Sequence, residues 1–180
     1  MKAEQGRRSV APRLLRRAWR ACKAPQQQRD FFDLIVAAAL FATLAGALGA
    51  ATGLTHWEPR SWAEIAMLAV RAFFIPALGE EFVFRALLVP SRVDAPNAIW
   101  PIALSVTLFT LWHVVETLFL PNSSATFLRA DFLALAALLG LLCALLRWRS
   151  GSIWTAVHLH WLVVIAWQGW FGGPSFGASA

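Results

Sequence analysis

The run Glu80-Glu81-Phe82-Val83-Phe84-Arg85 sets two carboxyl groups and a guanidinium inside an otherwise apolar stretch. An ionisable group at the centre of a bilayer costs about 2.5–3.5 kcal/mol on insertion scales, so such groups persist where they face a protein interior or a wet cavity. Glu81 and Arg85 stand four apart, share a helix face and can pair. Glu80 projects about 100° away on the helix, so its carboxylate is free to aim elsewhere. Two other apolar stretches carry histidines: Phe109-Thr110-Leu111-Trp112-His113, with Glu116 three residues on, and Val157-His158-Leu159-His160-Trp161. His158 and His160 point about 200° apart on a helix, so one of them faces any given site. A glutamate and an imidazole meeting from separate helices can take a proton from water and orient it. The same groups suit zinc. The plainer alternatives are a charge cluster snorkelling at a helix end and hydrogen-bonded packing histidines.

The elements that must carry these residues are membrane spans. The chain has 180 residues, 58% apolar and 14% charged, with mean hydropathy +0.57, where a soluble domain carries about 25% charged residues. The pattern predicts an all-α, polytopic transmembrane bundle of about five spans: 33–52, 62–90, 99–120, 131–146 and 152–171. The second is long and holds Pro76 and Gly79, which predicts a kink. Gly46 and Gly49 are expected to permit close helix contact. Arg147 and Arg149 are expected to snorkel from the short fourth span. Trp57, Trp62, Trp100, Trp148, Trp154 and Trp170 fall near span ends, as an interfacial belt does. The reading divides the chain into a basic cytoplasmic arm (1–30), a helical membrane domain (31–171) and a flexible tail (172–180). Cys22 and Cys143 lie in different environments and are not expected to pair.

Charge is sorted along the chain. Residues 1–30 hold nine Lys/Arg against two acids, a net +7, and the remainder holds seven against eight, a net −1. An arm of this kind directly before an apolar run stays in the cytoplasm and is drawn to anionic headgroups. It predicts a multi-pass protein of the cell's inner (plasma) membrane with a cytoplasmic N-terminus, and no nucleic-acid partner.

The helical zinc-protease signature HExxH and the intramembrane aspartyl motif GxGD are absent. What remains is an ordered set: Glu80-Glu81-x-x-x-Arg85, then Phe109-x-x-x-His113, then a histidine six residues beyond the tryptophan of Gly151-Ser152-Ile153-Trp154. Over about residues 62–170 this resembles the CAAX protease and bacteriocin-processing family, also called the abortive-infection or type II CAAX prenyl endopeptidase family of glutamic intramembrane proteases. The resemblance implies that Glu80 activates the attacking water with His113. It implies that Glu81 and Arg85 form a supporting pair, and that His160 stabilises the oxyanion. Phe109 belongs to the histidine motif. Relatives place Asn or Asp four residues after the last histidine; here that position is Val164, and His158, Gln168 or the Trp161 indole are the substitutes available. The substrate is expected to be a peptide or a membrane protein, the reaction to need no cofactor, with zinc as the other possibility, and the hollow to open to the cytoplasm. Counted inward from the cytoplasmic ends, His160 lies about 12 Å, Glu80 about 15 Å and His113 about 21 Å deep. A non-catalytic immunity or scaffold protein that retains the fold is the alternative. The oligomeric state is left open.

Overall fold

Residues 10–120 and 123–174 are described in the computed structural model, and among them the chain forms six helices: α1 (Val10–Lys23), α2 (Gln28–Thr52), α3 (Trp62–Leu87), α4 (Ile99–Phe119), α5 (Ala130–Ser150) and α6 (Trp154–Trp170). A short 3-10 turn, Ala125–Leu128, precedes α5. The first four charged residues of the arm, the Pro121-Asn122 stop of the third span and residues 175–180 of the tail lie outside the described residues. Helices α2 to α5 are long and apolar enough to cross a membrane. Helix α6, with 17 residues, spans about 26 Å and packs along α2, α3 and α5 as the fifth crossing. The protein is a multi-pass helical bundle.

Local chemistry sets the helix ends. The Gln27 backbone N–H donates to Asp30 Oδ2 at 2.8 Å, which starts α2 five residues before the predicted boundary. Ser61 and Glu64 close a capping box on α3: the Ser61 backbone N–H donates to Glu64 Oε2 at 2.9 Å, and the Glu64 N–H to Ser61 Oγ at 3.4 Å. Gly53 and Gly151 end α2 and α5 with φ of 68° and 73°, conformations that favour glycine. Helix α3 breaks as predicted. Ile75 leaves helical geometry (φ −137°, ψ 113°) before a cis bond to Pro76, and π-type turns flank the motif at Phe73–Leu78 and Phe82–Leu87. A carbonyl of the second π turn is held from α4, where Ser105 Oγ donates to Phe84 O at 2.7 Å.

The helices alternate in direction, so the bundle has two distinct ends. At the arm end lie the starts of α2, α4 and α6 and the finishes of α3 and α5. Arg149 of α5 pairs there with Asp33 of α2 at 2.9 Å. At the far end Arg129, before α5, donates to Thr52 O of α2 at 2.9 Å, and Glu58 N–H donates to Trp170 O of α6 at 2.8 Å.

Within the arm, residues 10–23 form α1, whose Ala18 and Ala21 are buried against Ala86, Ile153 and Val157. Two expectations need correction. Arg147 does not snorkel. It is 1% exposed, because α5 runs on to Ser150 and α1 lies against its end; Arg149 alone reaches the surface. Gly46 makes no close contact but faces open space, and Gly49 approaches Thr55 of the following loop rather than another helix. Cys22 and Cys143 are both free.

Candidate active site

The broken helix α3 presents its two glutamates on different faces. Glu81 and Arg85 turn inward and are fully buried, with Arg85 Nε 3.2 Å from Glu81 Oε2. The Arg85 guanidinium also lies over the Phe109 ring of α4, 4.1 Å from its centroid. The other Glu81 oxygen, Oε1, is 2.9 Å from His160 Nδ1. A carboxylate accepts, so His160 carries its proton on Nδ1, and its Nε2 turns to Glu80, 4.0 Å from Oε2. That Glu80 oxygen is buried with no hydrogen-bond partner among the described residues.

His113 is oriented by its own helix. Its Nδ1 donates to Phe109 O, one turn back, at 2.9 Å. A carbonyl can only accept, so the neutral ring keeps Nε2 as a free acceptor. The Phe109 ring stands between the two imidazoles, 4.9 Å from His113 and 5.7 Å from His160. Glu80, His113 and His160 therefore line one cavity, of about 580 Å³ and mostly apolar, which Glu116 also borders. The three depths counted along straight helices differ by several ångströms. In the structure, where α3 breaks at Ile75, the three side chains border the same cavity, with Glu80 and His160 4.0 Å apart.

The family model described as type II CAAX prenyl endopeptidase Rce1-like matches residues 61–166, a range that contains Glu80, Glu81, Arg85, Phe109, His113 and His160. The chain belongs to this family. Membership makes it a CAAX-type intramembrane endopeptidase, a hydrolase acting on peptide or protein substrates in a membrane. No curated protein and no solved structure matches it.

The CAAX endopeptidase cavity does not take in every residue the motifs suggested. His158 faces away, its Nδ1 3.5 Å from Gln26 Nε2 on the link between α1 and α2. The Trp161 indole N–H is committed to Ala69 O at 2.7 Å. Of the three substitutes for the missing Asn/Asp, Gln168 lines the cavity, but it stands two helical turns, about 12 Å, beyond His160. The cavity is walled by Pro76 and Glu80 of α3 together with residues of α2, α4, α5 and α6, and it reaches Thr55, His56, Trp57 and Phe171. Among the described residues no group of three His, Cys, Asp or Glu is arranged to hold a metal ion.

One residue that matters here is missing from the sequence reading. A side chain at Gly140 of α5 would sit 3.0 Å from Phe109 Cδ1 and 3.3 Å from Arg85 Nη2, so glycine is what lets α5 close over the Arg85–Phe109 stack. A lone glycine in an apolar helix is the only signal it gives. Gly140→Val is expected to lower unfolding stability in detergent by about 1–3 kcal/mol through overpacking, and to lower activity with it; a stability equal to wild type would show that the stack is not that tight.

Proposed function

We propose that the chain is a glutamic-type peptidase that hydrolyses a peptide bond with water, using Glu80 and His113 as the activating pair and His160 at the oxyanion. The observation that carries this reading is the convergence of three side chains from three helices on one cavity, with the second ring nitrogen of each imidazole tied off by Phe109 O or Glu81. Glu80 takes a proton from the water, the hydroxide adds to the carbonyl carbon, and the developing O⁻ faces His160. The proton then passes to the departing nitrogen as the C–N bond breaks, leaving a carboxylate and an amine. Held on Nδ1 by Glu81, His160 donates from Nε2 when it carries a second proton. With Val164 in place of the usual polar residue, His160 is the sole side-chain donor proposed at that level.

The mechanism proposed needs no metal or other cofactor. The substrate is a peptide or a segment of a membrane protein. Helix α1, with five Lys/Arg and an exposed Trp19, is proposed to lie on anionic headgroups of the cell's inner membrane, its N-terminus in the cytoplasm.

A cleavage assay on the purified protein in detergent tests the reading. Turnover is expected to collapse in Glu80→Ala, Glu80→Gln and His113→Ala, and to survive treatment with a zinc chelator. Equal turnover in all three variants would overturn the mechanism, and loss of turnover on chelation would replace it with a zinc one. If Glu80→Ala protein protects cells as well as wild type does, a non-catalytic immunity role takes its place.

A further inference from the structure

Among the described residues two arginines are buried to 1% exposure or less, and their surroundings differ. Arg85 has Glu81 at 3.2 Å and the Phe109 ring 4.1 Å from its guanidinium. Arg147, in the last turn of α5, has no such partner among the described residues, and its Nε and Nη1 are buried without a hydrogen bond. An ionised group persists in a protein interior where an opposite charge meets it. We propose that Arg147 forms, with Arg17 and Arg20 of α1, a binding site for a phosphate group, carried by an anionic phospholipid headgroup or free in solution. Such a site is independent of the peptidase reading. It also differs from a diffuse attraction of α1 to a charged surface, because its centre is one buried side chain.

The fold holds these groups in place. Helix α1 is fastened across the arm end by three hydrogen bonds to the turn before α6: Ile153 N–H to Ala21 O at 3.1 Å, Ser152 Oγ to Ala24 O at 3.0 Å and Trp154 Nε1 to Cys22 O at 2.9 Å. Beneath it, Ala18, Ala21, Ala86, Val89 and Ile153 are buried to 1% exposure or less. Arg13, Arg17 and Arg20 stand at i, i+4 and i+7 and share another face of α1. Arg17, Arg20 and Asp94 are the charged side chains that act on Arg147. Asp94 sits in the loop between α3 and α4, where Ser91 Oγ donates to its Oδ2 at 2.8 Å and the Arg92 N–H fastens the loop to Trp148 O of α5 at 2.7 Å. Three guanidiniums against one carboxylate leave a local excess of +2.

The contacts these arginines make are weak ones. Arg17 Nη1 is 3.5 Å from Leu88 O, and Arg20 Nη1 is 3.8 Å from Asp94 Oδ1. Guanidinium-to-phosphate hydrogen bonds run about 2.7–2.9 Å and are roughly twice as strong as neutral ones, so a phosphate oxygen displaces both partners. The planar fork of arginine also fits phosphate better than a point charge does. The way in is from the surface, since the Arg20 side chain is 71% exposed and Arg17 is half-buried. Leu15 and Trp19, four apart on a third face of α1, are exposed. That arrangement suits a helix lying at headgroup level with acyl chains beside it.

Thermal unfolding of the purified protein in a neutral maltoside detergent tests the site, since a ligand of the folded state raises the midpoint. Three additions are compared at matched ionic strength: inorganic phosphate, short-chain phosphatidylglycerol, and short-chain diacylglycerol, which has the same chains without the phosphate. The wild-type midpoint is expected to rise with phosphatidylglycerol and not with diacylglycerol. A rise with inorganic phosphate as well identifies the phosphate alone as the ligand; no rise with it identifies the lipid. In Arg147→Met the concentration giving half the rise is expected to increase by about 10- to 100-fold, the share of one or two charge-assisted hydrogen bonds. Asp94→Asn removes the competing carboxylate and is expected to tighten binding, a result that does not depend on how well Arg147→Met folds. No rise with either phosphate source, the same titration in Arg147→Met as in wild type, or weaker binding by Asp94→Asn would overturn the proposal.

Discussion

Glu80→Gln is expected to lower peptide-bond hydrolysis by about 10²- to 10⁴-fold, the range over which a positioned acid–base group contributes, with thermal unfolding in detergent close to wild type. The substitution keeps the volume of the side chain and removes the proton acceptor. Glu80 borders the cavity, its side chain 16% exposed and 4.0 Å from His160 Nε2, and its inward oxygen has no hydrogen-bond partner to lose. Nothing in the packing of α3 depends on its charge, so activity and stability separate. Glu80→Asp draws the carboxylate back by one methylene, and it is expected to recover part of the rate without matching wild type. A Glu80→Gln protein that turns over normally would mean that the water is activated elsewhere.

The second large effect is on folding. Glu81→Ala removes the counter-charge of an arginine with no exposure, and breaking a buried ion pair from one side costs about 3–5 kcal/mol. Arg85 would be left between Phe109 and Gly140 without its ion-pair partner. Thermal or chemical unfolding in detergent measures this. Replacing both partners, as Glu81→Leu with Arg85→Met, is expected to recover much of the stability. Activity is not expected to return, because His160 Nδ1 loses the acceptor that fixes its ring. Recovery of turnover in the double variant would show that Glu81 has no part in orienting His160.

What the sequence made legible were the features that break a local rule. Paired acids inside an apolar run marked the face of α3 that meets the bundle, and Pro76 marked its break. The motif spacing singled out His160 over His158, and the structure puts the first on the cavity and the second on the α1–α2 link. What stayed hidden depended on contacts between distant segments. Leu14, Ala18 and Ala21 have the i, i+4, i+7 spacing of a buried helix face, but the surrounding Arg residues read more strongly as an anchor at the membrane. Arg147 looked like the end of a span, since nothing in residues 131–146 announces that α1 will cover it.

The hydrogen-bonded strap of α1 across the turn at Ser152–Trp154 bears on more than packing. A hydrolase inside a bilayer has to bring water to mid-depth without giving protons and ions a route through. With the arm end stoppered by side chains packed to near-zero exposure, the hollow is a pit rather than a pore. The membrane can keep its electrical insulation while the reaction runs inside it.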